Sequence, residues 1–542
     1  MTYRGHLASL LPHPSDYRGL STRWRADVLA GLTVGIVALP LALAFGVSSG
    51  AGAESGIITA IVAGTVAAIC GGSHVQVSGP TGAMVVVLAP ILAHRGAGAL
   101  ALVTLMAGAM VMAAGFLRLG RLINLIPWPV IEGFTLGIAV IIFMQQVPAA
   151  VGVSAEGLHT NAAVAAAQAV RQAGPDAWRT LAVAAVVALV MVALPRLTTA
   201  VPGSIVAIGL VTAVAAVVDL KVAAIGELPA GLPAPHLPAW DGALAGALVG
   251  PAAAVAALAA IESLLSARVV ASHADVGGYD ADRELVGQGL ASIASGVFGG
   301  MPATGAIART AVNVRAGGRT RLAAVVHSAV VLLVVGVLAS VVSRIPLAAL
   351  SGVLMVTAVG MVHRGAVRAV VRSSRQGALV FWLTAVVTVS VDLIYAVGVG
   401  LAVASVLALR AMAQAAGAHR EPLPGEVGED DDRIALVRLD GALYFGAAAK
   451  VIEAVNEVRD VEVVIVRMSQ VHLMDATGAQ VLTEAVEQLR RRGVVVLVKG
   501  IRAEHRRVVE QVGLLRALGD ERLVFAELAP AVAYARSVVA ST

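Results

Sequence analysis

The sequence has one cysteine, Cys70, among 542 residues, so no intrachain disulfide can form and nothing in the fold depends on an oxidising compartment. Charge is just as scarce: Asp, Glu, Lys and Arg make up 13% of the chain and aromatic residues 4%, whereas soluble globular domains carry about 25% charged residues. A single water-soluble enzyme is thereby excluded. There is no phosphate-binding glycine loop and no nucleophile motif. His74, His94, His327 and His363 have no metal-ligand spacing and no cysteine partner. Neither a cofactor nor a metal is expected, and any uphill transport by the chain itself must draw on ion gradients or exchange.

What is present is apolar: 58% of the residues are hydrophobic and the mean hydropathy is +0.86. Residues 1–429 hold 24 Lys+Arg and 18 Asp+Glu, while residues 430–542 hold 15 and 16. A sparsely charged part followed by one of ordinary charge reads as a membrane domain and then a small soluble domain. The pI near 9.7 belongs to the membrane part, where topology explains it and nucleic acid does not. Breakers divide the apolar text into fourteen candidate spans between residues 28 and 410, several shorter than the roughly 20 residues a crossing helix needs. With the N-terminus inside, 18 Lys/Arg fall in inside segments and 5 outside, with Arg309 within the membrane; losing one middle span destroys this bias. The expected layout is a retained cytoplasmic segment 1–27, a transport domain 28–412, a linker 413–429 and a soluble domain 430–542. The protein is expected in the cell membrane, multi-pass, with both termini cytoplasmic.

The third and tenth candidate spans, roughly 81–93 and 305–314, are short and similarly introduced. Gly71-Gly72 precedes Thr81-Gly82-Ala83-Met84, and Gly299-Gly300 precedes Thr304-Gly305-Ala306-Ile307. Each lies third in a seven-span half, and an odd number of spans per half makes the repeats, about 28–218 and 244–412, inverted. The Gly- and Pro-containing residues 75–80 and 301–303 predict a short strand before each helix, so that two helix N-termini face one cavity. Uncapped N–H groups and the positive end of the dipole suit an anion there. Ordinary kinked helices are the alternative.

Glu262-Ser263-Leu264-Leu265-Ser266, Glu284 to Leu290, the run from Phe298 to Arg309-Thr310-Ala311-Val312-Asn313, and Ala316-Gly317-Gly318-Arg319-Thr320 together resemble the sulfate permease (SulP) family, close to its bacterial sulfate- and bicarbonate-type members. Gly79-Pro80-Thr81-Gly82-Ala83, Gly133-Phe134-Thr135 and Ile225 to Pro229 are similar too. The resemblance spans essentially the whole chain. It implies a fourteen-span fold with a mobile core and a gate domain, a central anion site, a homodimer and a cytoplasmic STAS domain. In the C-terminal region, Ile434–Leu439, Val461–Met468 and Val494–Lys499 read as buried strands, and residues 447–458, 477–491 and 503–512 as amphipathic helices, a small α/β layer. Asp475-Ala476-Thr477-Gly478 is similar to the turn phosphorylated in related anti-sigma antagonists. Ala476 stands at the phosphorylated position, which leaves Thr477 to cap the helix or to accept phosphate, and a cytoplasmic STAS-binding partner is a further possibility of the resemblance.

For the anion site the expected residues are Gln76, Ser78, Gly79, Thr81 and Gly82 in one repeat and Thr304, Gly305, Ala306, Ile307 and Arg309 in the other, with Pro40 and Phe45 of the first span closing it. Glu262 is an acid within a span, where ionisable groups face a cavity or a partner; Ser266 lies one turn on. A carboxyl that takes up a proton sheds its charge, which makes Glu262 a candidate proton carrier; a fixed salt bridge with Arg309 is the alternative. The leading expectation is secondary active, proton-coupled symport of sulfate, bicarbonate or a dicarboxylate. Sodium-coupled bicarbonate symport or anion exchange compete with it. The sodium-dependent relatives have a hydroxyl residue at the position of Ile307 and an Asp at that of Glu262, which weakens the sodium reading. A membrane anion sensor signalling through the STAS domain is the alternative of another class.

Overall fold

The computed structural model describes residues 9–17, 19–154, 157–159, 161–198, 202–218, 220–228, 231–238, 241–271, 277–391, 393–415, 417–426, 428, 430–444 and 460–541. The chain divides into two compact units, Met1–Leu401 and Ala402–Thr542. The first is helical. Eight of its described helices are long and apolar enough to cross a membrane, among them Leu20–Ser48, Ala53–Cys70, Ala99–Phe116, Gly242–Ala271 and Arg321–Val342. Shorter apolar helices include Gly82–Arg95, Gly203–Val218 and Arg375–Ser390. The helix from Ala53 is interrupted by one π-helical turn, Thr59–Ala63.

With lipid outside, helix–helix contacts gain little from apolar burial and rely on close packing of small residues. The helices 99–116 and 281–297 meet in that way: a Cβ on Gly108 would lie 2.8 Å from the Gly289 carbonyl oxygen, and one on Gly289 would lie 2.6 Å from that of Gly108. Asp27, fully buried, accepts hydrogen bonds from the Arg319 and Thr320 amides and the Thr320 hydroxyl. It thereby ties the first long helix to the start of the helix 321–342. A short turn, Pro14–Tyr17, is held against this unit by an ion pair of 2.6 Å between Asp16 and Arg283.

At the centre of the unit are two strands of two residues each. β1, Ser78–Gly79, pairs antiparallel with β2, Thr304–Gly305, with Ser78 opposite Gly305 and Gly79 opposite Thr304. Helices Gly82–Arg95 and Ile307–Arg315 begin within three residues of these strands.

The second unit carries a five-stranded sheet in the order β3-β4-β5-β6-β7: Gly417–Glu421, Ile434–Leu443, Val463–Met474, Val495–Lys499 and Val524–Phe525. β3 is antiparallel to β4 and the other pairs are parallel. Helices Ala476–Arg491 and Ala503–Val512 lie over one face and Leu528–Ala540 over the other, so apolar clusters form on both sides. The stretch 413–429 is therefore more than a linker, since it contains β3. Its Gly-Ala-His-Arg-Glu text has no apolar alternation, and an edge strand tolerates that because one side of it faces water. The amphipathic stretch 447–458 lies outside the described residues.

Candidate anion site

The segments that follow β1 and form β2 meet at a carboxylate. Thr81 precedes the helix 82–95 in extended conformation and makes no side-chain cap to it; its hydroxyl donates instead to Glu262 Oε2 at 2.8 Å. The Thr304 hydroxyl donates to the same oxygen at 2.8 Å, and the two hydroxyls are 3.1 Å apart. Ser263, next to Glu262, accepts the Gly305 amide at 3.0 Å. The helix 242–271 thus holds β2 through two adjacent residues and the segment after β1 through Thr81.

Arg309, 2% exposed, points back toward β1 from the first turn of the helix 307–315. Its Nη2 donates to the Pro80 carbonyl oxygen at 2.7 Å, and its Nη1 is buried without a hydrogen-bond partner among the described residues. A Cβ on Gly79 would lie 2.6 Å from Nη1, so glycine is what lets the guanidinium reach the strand. No N···O contact within 4.0 Å joins Arg309 to Glu262, so the two do not form the fixed salt bridge weighed as an alternative. A buried guanidinium with an open donor is unfavourable alone and favourable beside an anion. The neighbouring Ala306 cap position makes no side-chain cap either, so the first amides of the helix 307–315 have no side-chain acceptor there.

Other expected residues fall less uniformly. Ser78 and Gly79 are in β1, Gly305 is in β2, Ala306 is buried beside it with its amide on the Val77 carbonyl at 3.0 Å, and Ile307 is half-buried at the helix start. Phe45 is buried, and a Cβ on Gly82 would come within 3.3 Å of its ring and 2.3 Å of Ile142. The two side chains therefore close over the start of the helix 82–95. Pro40 is buried within the helix 20–48, more than a turn before Phe45; it leaves the Ile36 carbonyl without its helical donor.

Two expected residues have partners within the protein. Gln76 donates its Nε2 to Glu284 Oε1 at 2.8 Å, and its Oε1 has no partner among the described residues. Ser266, expected one turn on from Glu262, is fully buried with its hydroxyl 3.4 Å from that of Thr310. Four residues advance a helix by about 6 Å along its axis, which is enough to pass from one partner to the next.

Sequence reasoning missed the second carboxylate. Glu284, 1% exposed, accepts from the Gly72 and Ser73 amides and from Gln76 and Gln288. Gln288 in turn donates to the Ser78 hydroxyl at 2.5 Å. Glu284 therefore fixes the irregular segment that leads into β1. Its signal was its place at the very edge of an apolar run, where an acid reads as a helix-end residue.

In the second unit, Asp475 is the helix cap: its carboxylate accepts the Gly478 amide at 2.7 Å. Thr477, expected to cap, is exposed and makes no side-chain hydrogen bond among the described residues. The reason is position: it is already inside the first helical turn, beyond the residue whose side chain can reach back to the free amides.

The profile of the sulfate permease family matches residues 24–384 and that of the STAS domain residues 428–531. The chain belongs to the sulfate permease family. It is 34% identical over 508 residues to the putative sulfate transporter YvdB of Bacillus subtilis, covering 92% of this chain and 96% of that one. It is 32% identical over 529 residues to the bicarbonate transporter BicA of Picosynechococcus, covering 92% of each. The fold is that of the murine solute carrier 26 member A9 anion transporter in its inward-facing state, with a TM-score of 0.83 at 18% identity, covering 98% of this chain and 95% of that one. The protein is a polytopic membrane protein with a C-terminal STAS domain, in a family of permeases rather than enzymes.

Proposed function

We propose that the protein is a secondary active transporter of a small oxyanion, sulfate or bicarbonate, with dicarboxylates as a further candidate class, moved together with a proton by alternating access. The observation that carries this reading is the buried, unpartnered Nη1 of Arg309 beside Gly79, near two helix starts without side-chain caps. Relatives of matching length include a bicarbonate transporter and a putative sulfate transporter, which supports the substrate class.

Charge balance favours the proton. With Glu262 ionised, its charge and that of Arg309 cancel, and an arriving anion would add a net negative charge to a buried site at high cost. Protonated Glu262 removes that excess for a monoanion and reduces it for sulfate. The Thr81 and Thr304 hydroxyls, which donate to the carboxylate, then each free an O–H that can turn toward the anion. The sodium reading is weaker because Ile307 supplies no oxygen, and Ser266 is placed at Thr310.

In this reading the membrane part, residues 28–412, crosses fourteen times as two inverted seven-span repeats, 28–218 and 244–412, with the helices 82–95 and 307–315 as half-helices starting at mid-membrane. Both termini and the STAS domain, 430–542, are cytoplasmic, and the functional particle is a homodimer. Proteoliposomes loaded in turn with proton or sodium gradients test the reading with labelled sulfate, bicarbonate and a dicarboxylate. Accumulation under an inward proton gradient supports it and names the substrate. Stimulation by sodium alone replaces the coupling ion, and no flux for any anion moves the reading to a membrane anion sensor.

A further inference from the structure

Between Glu284 and Asp392 the sequence has no acidic residue and nine arginines. Most of those near the core are used internally. Arg309 reaches Pro80, Arg315 the Ala311 carbonyl, Arg319 the Val314 and Gly318 carbonyls, and Arg321 the carbonyls of Ala68 and Gly71. Arg364, Arg368, Arg372 and Arg375 are different: all four are exposed, and none has a hydrogen bond or ion pair among the described residues.

The first three lie on a ten-residue helix, Arg364–Ser373, at steps of four, and so within one narrow arc. Val370 is buried and Ala366 and Val367 half-buried on the other side, and Val371, half-buried, borders the arginines. The apolar side is covered by the neighbouring helices 128–150 and 375–390, against both of which this helix packs. What is left open carries the arginines with the small residues Gly365, Ala369 and Ser373, and no acid.

Its depth is fixed by a neighbour. A Cβ on Gly377, two residues past Arg375, would lie 3.7 Å from Pro129, and Pro129 adjoins Trp128, half exposed at the start of the helix 128–150 with its indole N–H on Glu132 at 3.0 Å. An exposed Trp at the end of an apolar helix marks the level of the lipid headgroups. Arginines on that level, at the end of a membrane-crossing helix, meet the phosphate layer of the bilayer before any soluble partner, and guanidinium pairs well with phosphate.

We propose that the basic face of the helix 364–373 is a docking site for the headgroups of anionic phospholipids. Arg364, Arg368 and Arg372 hold the phosphates, and Arg375 extends the site into the next helix. The inference rests on the membrane location of the chain and not on the identity of the transported ion.

Native mass spectrometry of the full-length protein, purified with equal amounts of phosphatidylglycerol and phosphatidylcholine, tests it. Wild type and the R364K/R368K/R372K variant should retain phosphatidylglycerol preferentially, and R364Q/R368Q/R372Q should lose that preference by about tenfold or more. Equal retention by the glutamine variant would overturn the proposal. Should that variant fail to insert, the wild type alone decides: salt at about 0.5 M, which screens exposed charges beyond a few ångströms, should release the lipid. Retention that salt does not weaken, or that inorganic phosphate at equal charge competes away without salt, would overturn it as well, the latter by marking a free-anion site.

Discussion

Thr81 and Thr304, far apart in the sequence, donate to one and the same oxygen, Glu262 Oε2, each at 2.8 Å. One helix and two extended segments thus converge on a single atom, and the protonation state of Glu262 is linked to the position of Thr81 and of β2. Replacing Glu262 by Gln fixes the neutral form. Proton-driven accumulation should fall by about tenfold or more, as expected for loss of a proton carrier, while anion exchange across the membrane persists. Accumulation that still follows the pH gradient in proteoliposomes would sink the proton-carrier role.

Arg309→Gln removes the open donor and the charge. Hydrogen bonds to charged groups contribute about 1.5–3 kcal/mol, so anion affinity should weaken by roughly 10- to 150-fold, measured by calorimetry or by protection against heat in rising anion concentration. Folding should suffer little, because an unpartnered buried charge is lost along with one bond to Pro80. Unchanged affinity in folded variant would remove Arg309 from the site.

The fold of both units was legible in the sequence wherever apolar periodicity carried it: the runs at 99–117, 322–342 and 477–491 are helices within a residue or two. Arg309 and Glu262 were legible as charges inside apolar text. The cage around Glu284 was not, because it is made by main-chain amides of Gly72 and Ser73 and by two glutamines, whose meeting depends on tertiary packing and leaves no period. The capping role of Asp475 over Thr477 was a matter of one residue in the helix start, a precision that pattern does not reach.

Gly305→Ala should be severe. Its Cβ would lie 1.8 Å from Gln76 Nε2, so Gln76 must turn away and give up its bond to Glu284. Transport should drop strongly while the protein still inserts, and Gln76→Ala in the same chain should restore part of it. A Gly305→Ala single variant with wild-type flux would contradict the packing.

Asp16 offers a test outside the membrane. Burial pushes its carboxyl up, but the Arg283 guanidinium and the His13 amide outweigh this and hold it down at about 2, below its ordinary 3.8. A lowered folded-state value means that the ion pair stabilises fully above about pH 4. That contribution is lost as pH falls from there through about 2. Asp16→Asn should therefore lower the melting temperature at pH 7 and narrow its difference from wild type at the acid end, followed by fluorescence unfolding. A constant difference across that window would detach Asp16 from the stability of the unit.

In the second unit, Asp475→Ala should cost about 1 kcal/mol of stability by loss of the cap, read by chemical denaturation, with Thr477→Ala near neutral. Equal effects at both positions would reinstate Thr477 as a cap. Deleting residues 430–542 should impair assembly or regulation more than anion binding, and a folded, inserted truncation without any anion binding would contradict that.

The near-touching of Gly305 and the Gln76 amide also makes the two positions a pair. A side chain at 305 fits only where the amide at 76 has turned aside or been removed, so a change at one is read against the residue that stands at the other.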